Sequence, residues 1–462
     1  MSEVTRMLLA LAIGLVMLIV LIIRTKTHPV LAMVFSAAFI GIAGGLDLLK
    51  IPGAITTGFG NTLASIGLVI GFGVMIGQIM EDTGAAKQLA RTFLRLCGKG
   101  REEWALAMTG FVTSIPIFCD SAFVILAPLA KAISKSVNKS IIGLGIVLAA
   151  TLMVTHSTVP PTPGPLGVAG IYNVNVGSFM LFALALGLPI MVVLVFYSKW
   201  VSRRYFATPD ENGMPIHRPY EEPRETSYLT EDDKNMPGAF VTFLPILLPV
   251  VLILFNTVVS AIFDKAEGLP DSAQFAIDLC KFIGNPVISV GLGLLAAIYG
   301  LTGKHSQKEV RAMMEKGIRS CGTIILITGA GGSLGQIIRV SGAGDVIANA
   351  LSHAHVPPIL LPFVIAAALR VIQGSGTAAM ITTASITAPI LAGMDINPMF
   401  AAYSACIGSQ IISYHNDSYF WVVNTTLGIT DTKMQLHAYT LASPVFSLTA
   451  LVELLIVNAI FG

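Results

Sequence analysis

Thr151-Leu-Met-Val-Thr-His-Ser-Thr-Val-Pro-Pro-Thr-Pro-Gly-Pro165 is the stretch whose reading decides the fold. An apolar run from Ile141 to Val154 enters it, and another from Phe179 to Tyr197 follows. From Thr155 to Pro165 lie one histidine, four hydroxyls and four prolines, with no fully charged side chain. Each proline removes an amide donor and crowds the preceding turn, so a spanning helix is expected to break here. Unwound backbone at membrane depth survives only where protein or a watery cavity satisfies it. Transporters place their substrates at such breaks. An ordinary proline-rich loop between two helices is the plainer alternative.

Working outward, composition sets the class. The chain is 54% hydrophobic and 12% charged, with a mean hydropathy of +0.78, whereas soluble domains carry about 25% charged residues. An all-α polytopic membrane protein is expected, with the lipid bilayer as its partner. The formal net charge is +2, and no basic cluster or aromatic platform suggests a nucleic-acid partner. The five cysteines are scattered without metal-ligand spacing, so neither a metal nor a cofactor is implied. Met7–Ile23 lacks an Ala-x-Ala-like cleavage site and reads as a retained first span.

Twelve apolar runs follow one another, and two are interrupted. The run at about 104–134 breaks at Pro116–Ser121, and the run at about 359–392 breaks at Gln373–Thr377. Each arm is about 15 residues, or roughly 22 Å, against a hydrocarbon core of ~30 Å. Both read as re-entrant hairpins with polar tips near the midplane, although two tight full spans also fit. About ten helices then span. With both termini outside, the clusters at Arg24, Lys87–Arg101, Lys131–Lys139, Lys199–Arg204 and Lys304–Arg319 all fall on the cytoplasmic side.

The halves repeat. Gly77-Gln-Ile-Met matches Gly335-Gln-Ile-Ile at an offset of 258, Pro128 matches Pro389 at 261, and His156 matches His415 at 259. Five spans per half is an odd number, so the second copy must insert upside down, giving two inverted-topology repeats. Residues 1–200 form the first repeat and 238–462 the second. Residues 201–237, which hold eight of the 26 acids from position 202 onward, form a cytoplasmic linker too poor in apolar residues for a core.

Four breaks should therefore converge: the two hairpin tips, the stretch from His156, and Ser413–Ser418. Ser121, Thr155, Ser157, Thr158, Ser375, Thr377, Asn416 and Ser418, with the backbone of Gly374 and Gly376, suit a polyhydroxylated ligand. Asp417, then Asp120, are the candidates for proton coupling, because a carboxylate at membrane depth costs ~2.5–3.5 kcal/mol and marks a pathway or relay. His415 joins them, and His156 can titrate near neutral pH or act as a strut. Arg370 can hold a carboxylate by a bidentate fork or clamp helix carbonyls.

Three further motifs carry a resemblance: Val154-Thr-His-Ser-Thr-Val-Pro-Pro-Thr-Pro-Gly-Pro165, Leu369-Arg-Val-Ile-Gln-Gly-Ser-Gly-Thr377 with Ala388-Pro389, and Asn416-Asp417 followed by Phe420-Trp421. Over essentially its whole length the chain resembles the gluconate permease (GntP) family of bacterial proton-coupled symporters. The resemblance implies an inner-membrane carrier of a sugar acid such as gluconate; other relatives carry D-serine or small hydroxy acids such as glycerate or hydroxybutyrate. It also implies an elevator movement, often in a homodimer, with a moving domain of about 60–177 plus 319–433. Relatives often have glutamate where Asp120 stands, histidine at Thr162, Ser-His-x where Ser413-Tyr-His415 stands, and a small pair at Ser418-Tyr419.

Rival classes lack their residues. Gly342-Ala-Gly-Asp345 has no Tyr-Asp partner for an intramembrane protease. Gly329-Ala-Gly-Gly-Ser-Leu-Gly335 lacks the lysine of a phosphate loop and suits close helix packing. An enzyme is not expected; an anion channel is the remaining competitor.

Overall fold

The computed structural model describes residues 3–25, 27–210, 215–217, 219, 237–263, 270–342, 357–414 and 417–461. Its helices are α1 (Glu3–Ile23), α2 (Pro29–Gly44), α3 (Lys50–Asp82), α4 (Ala85–Cys97), α5 (Glu102–Thr113), α6 (Cys119–Val137), α7 (Ile141–Thr158), α8 (Pro163–Ile171), α9 (Val176–Arg204) and α10 (Ala239–Phe263). They continue as α11 (Asp271–Ile283), α12 (Pro286–Leu301), α13 (Gln307–Val340), α14 (Leu360–Gln373), α15 (Gly376–Leu391), α16 (Pro398–Gly408), α17 (Ser418–Leu427), α18 (Thr432–Met434) and α19 (Ala442–Phe461). A π-helical turn, Gln435–Thr440, joins the last two. Ala207–Pro209 pairs antiparallel with Pro215–His217 in the segment expected as linker, whose first residues, through Arg204, belong instead to α9. His415, Asn416, Lys26, Asp345 and most of that segment lie outside the described residues.

α7 sits at the centre. Every side chain from Ile141 to Thr158 except His156 is buried, which fits a helix that is apolar all round. The expected break follows it, but it is short: Val159–Thr162 is a tight turn around a cis Pro160–Pro161 bond, closed by the Thr162 amide donating to Val159 O, and α8 resumes at Pro163. Pro163 and Pro165 therefore begin a helix and do not prevent one. In a first turn the amide is unpaired anyway, and the fixed φ suits helix geometry.

Both interrupted runs fold as helical hairpins. Their arms have 12, 19, 14 and 16 residues. At the second tip Gly374 adopts φ +74, donates its amide to Arg370 O, and lets Ser375 cap α15. Only glycine takes that conformation without strain.

α3 and α13 are longer than hydropathy suggests, at 33 and 34 residues. Their polar and glycine-rich halves, 50–62 and 307–322, escape a hydropathy scan, and each packs on the apolar half of the other helix. The two helices run antiparallel. A Cβ on Gly58 would meet Gly332 O at 2.4 Å, Ser333 Oγ donates to Ile55 O at 2.9 Å, and Lys316 Nζ donates to Asp82 at 3.2 Å. Asp82 leads directly into the basic helix α4; beyond it Lys139 Nζ donates to Gly100 O, and Ser140 Oγ donates to Tyr205 O, so the clusters of 87–101, 131–139 and 199–204 adjoin. Met7 and Arg6 lie at the other end, against Gly342 and Gly44.

Among the described residues four helices are long and apolar enough to cross a bilayer, or six if two bent pairs each count once. The expected ten spans draw also on apolar helices of 10–17 residues, such as Pro29–Gly44 and Ile325–Val340. Rows of exposed apolar side chains, Leu448-Val452-Ile456 on α19 and Val251-Phe255-Ile262 on α10, face outward as lipid-facing surfaces do.

The α3–α13 crossing yields a stability test. Gly332→Ala places its methyl 2.1 Å from Thr62 Oγ1 and 2.4 Å from Gly58 O. It is expected to cost about 1–3 kcal/mol, read as a lower unfolding temperature in detergent. Gly71→Ala, with nothing within 4 Å of its Cβ, serves as the neutral comparison.

Candidate functional site

Both hairpin tips, the end of α7 and the start of α17 meet around a cavity of about 400 Å³. That lies within the roughly 300–1,000 Å³ of small-molecule sites. Of the expected residues, Asp120, His156, Ser157, Arg370, Gly374, Ser375, Gly376, Thr377, Asp417 and Ser418 line it. Three helix N-termini open on it: Asp120 is in the first turn of α6, Ser375 caps α15, and Asp417 caps α17. Their amide ends favour an anionic ligand. Thr323 and Ile327 place the cavity partway along α13, between Lys316 and Gly332.

The charges are unequally held. Arg370 is 2% exposed, and each arm of its guanidinium is engaged. Nε donates to Ile412 O at 2.9 Å, Nη1 donates to Gly374 O, and Nη2 donates to Asp417 Oδ2 at 2.5 Å. Asp417 also accepts from Ser413 Oγ and, through Oδ1, from the Tyr419 amide at 3.1 Å. Tyr439 OH lies 3.2 Å from Ser413 Oγ. Arg370 thus braces the second tip to the α16–α17 break. Asp120 has less: Cys119 Sγ is 4.0 Å from Oδ2, and Oδ1 is buried without a hydrogen-bond partner. His156 Nδ1 is likewise unpartnered, and its ring packs on Phe118 with centroids 5.5 Å apart.

Three expected residues fall elsewhere. Thr158 Oγ1 donates to Val154 O within its own helix, and Thr155 is buried outside the cavity lining. Ser121 faces a separate cavity of about 210 Å³ with Val74, Gly77, Gln78 and Glu81. That cavity shares Phe118 and Asp120 with the main one. A third, of about 270 Å³, lies at the other end of α3, lined by Asn61, Thr62, Asn173, Gly332, Gln336 and Arg339 among others. The sequence reading missed Phe118, Met153, Thr323 and Gln410 in the main lining. Gln410, a glutamine inside the apolar run 399–414, was the one available sign; a Cβ on Gly376 would meet its Nε2 at 2.1 Å. The Tyr419 ring lines the cavity, but its hydroxyl donates to Ala149 O at 3.0 Å in α7.

Comparison with known proteins bears on the family and the fold. The profile of the GntP family permeases matches residues 6–460. An uncharacterized permease of Haemophilus influenzae is 41% identical over 98% of this chain and 93% of its own length. A gluconate permease of Pseudomonas aeruginosa is 32% identical over 100% and 99%. Among solved structures, the YdaH transporter of Alcanivorax borkumensis shares the fold, with a TM-score of 0.65, 17% identity and 90% of each chain covered.

The brace is testable as a pair. Arg370→Met leaves Asp417 buried without its counter-charge, at an expected cost of about 3–5 kcal/mol. Asp417→Asn added to Arg370→Met is expected to return part of that loss, read by thermal unfolding. Additive losses in the double variant would show that the two side chains do not act together.

Proposed function

This chain belongs to the GntP permease family, and from that premise we propose that it is a proton-coupled symporter importing a small hydroxylated carboxylate such as gluconate. The observation that carries the reading is the charge balance of the main cavity. Asp120, Asp417 and Arg370 sum to one negative charge if both carboxylates are ionised. An anionic cargo would raise that to two, in a setting where unpaired charge is costly. One proton on Asp120 removes the conflict. Asp417, held by Arg370, Ser413 and a backbone amide, is the fixed charge; Asp120, with a free oxygen, is the proton carrier. The order suggested by sequence is thereby reversed. With each nitrogen of the Arg370 guanidinium already holding a protein acceptor, the cargo carboxylate is assigned to the amide ends of α6 and α15, and its hydroxyls to Ser157, Ser375, Thr377 and Ser418.

The inverted repeat gains support from α3 and α13. Adding 258 to Gly58 gives position 316, and subtracting it from Gly332 gives Val74. A Cβ on Gly317 would meet Val74 O at 2.9 Å, beside the contact that a two-fold relation requires. The same shift takes Val74, Gly77, Gln78 and Glu81 of one side cavity to Gly332, Gly335, Gln336 and Arg339 of the other. Ten spans, re-entrant hairpins, a basic cytoplasmic end, periplasmic termini and an elevator movement of about 60–177 with 319–433, in a homodimer, complete the proposal.

Purified protein in liposomes under an imposed pH gradient is expected to accumulate labelled gluconate, with sugar acids, D-serine and small hydroxy acids ranked by competition. Flow that stops at equal concentrations whatever the gradient would indicate a channel. Asp120→Asn should exchange cargo yet fail to accumulate it; retained accumulation would remove Asp120 as the proton carrier.

A further inference from the structure

We propose that the coupled proton does not share the cargo's path but leaves Asp120 through the smaller cavity, by way of Ser121 and Glu81, to the end of the molecule that carries the basic clusters. The inference rests on the proton-coupled reading above. It begins from the fact that Asp120 lines two cavities at once. On one side are His156 from α7, Arg370 from α14, and Asp417 and Tyr419 from the start of α17. On the other are Ser121 of its own helix and, from α3, Gln78 and Glu81. Phe118 stands between, packed on His156. A ring at that position blocks a sugar acid, while a proton needs only a chain of oxygens.

The oxygens for such a chain line the smaller cavity, where Asp120, Ser121 and Glu81 share walls with room for water between them. The Ser121 hydroxyl lies against the Glu81 carboxylate, and the Glu81 side chain is 20% exposed. Lys316 of α13 stands 3.8 Å from Glu81 and 3.2 Å from Asp82 as a counter-charge, and Gln78 Nε2 donates to Asp82 at 3.0 Å. The proton on Asp120 passes through water in this shared cavity to the Ser121 oxygen as that hydroxyl gives its own proton to Glu81. Glu81 then releases it to water, and Asp120 is left ionised. No other reactant is needed. An anion is discouraged from this route, because Glu81 and Asp82 together outweigh Lys316.

The equivalent cavity at the opposite end is built differently. The position corresponding to Glu81 is Arg339, a guanidinium that does not give up its proton in proteins. Two cavities related by the repeat have thus been given opposite charges. Only one of them can carry a proton through a side chain, which makes the proton route polar across the molecule.

The test uses the full chain in liposomes with an internal pH-sensitive dye and gluconate as the probe. Wild type is expected to move protons when gluconate is added. Glu81→Gln should slow that movement by on the order of tenfold or more while leaving gluconate–gluconate exchange at the wild-type rate. Glu81→Asp should restore it, and Lys316→Met should retain it. Wild-type proton movement in Glu81→Gln would overturn the route and leave proton coupling standing. Equal losses in Glu81→Gln and Lys316→Met would overturn it too, by showing that the ion pair serves only as a brace. A wild type that moves gluconate without protons would remove the coupling reading and this inference with it.

Discussion

A guanidinium and a carboxylate, 2.5 Å apart and both largely removed from solvent, hold the centre of this protein together. Neither group is tolerable alone in an apolar interior, since breaking such a pair leaves an uncompensated charge. Arg370 also takes the carbonyls of Gly374 and Ile412, two acceptors that helix breaks leave open. Two discontinuities of the chain are therefore tied together by one side chain. The broken helices around the cavity can stay broken because this network replaces the hydrogen bonds that their backbone has given up.

From that brace follows the asymmetry on which the proposed transport cycle depends. Asp417 is committed to structure, whereas Asp120 is left with one oxygen unpaired beside a cavity sized for a small acid. Burying a second negative charge there is affordable only with a proton or an opposing ion. Three helix N-termini bias the site toward anions without adding any mobile cation. In this proposal anion and proton are bound together because each lowers the cost of burying the other. The same carboxylate borders a second, smaller cavity, which in this proposal lets cargo and proton meet at one residue without sharing a corridor.

Much of this was legible in the sequence, for reasons that can be stated. Prolines at 116, 160 and 161 and the Gly374–Gly376 pair interrupt apolar runs, and those interruptions are where the cavity lies. Asp120, Asp417 and Arg370 were visible because charge inside an apolar run is conspicuous. Their allocation was not. Whether Arg370 faces a ligand or helix carbonyls depends on its distance to Ile412, forty-two positions away, and hydropathy carries no such information. The long first halves of α3 and α13 were missed for a similar reason. The glycines and threonines of 50–62 look unlike a span until they are seen against 329–336 of α13, and the charged start of α13 until it is seen beside 74–82 of α3. Ser121 lines only the smaller cavity while its neighbour Asp120 lines both, because adjacent residues on a helix point about 100° apart.

The central claim, that an anion is accepted only together with a proton, is tested most directly by binding without transport. Titrating the purified protein with gluconate by calorimetry, in buffers of different ionisation enthalpy, counts the protons taken up as cargo binds. The expected result is uptake of a proton for each gluconate bound, lost when Asp120 is replaced by asparagine. Binding with no proton uptake by the wild-type protein would contradict the claim.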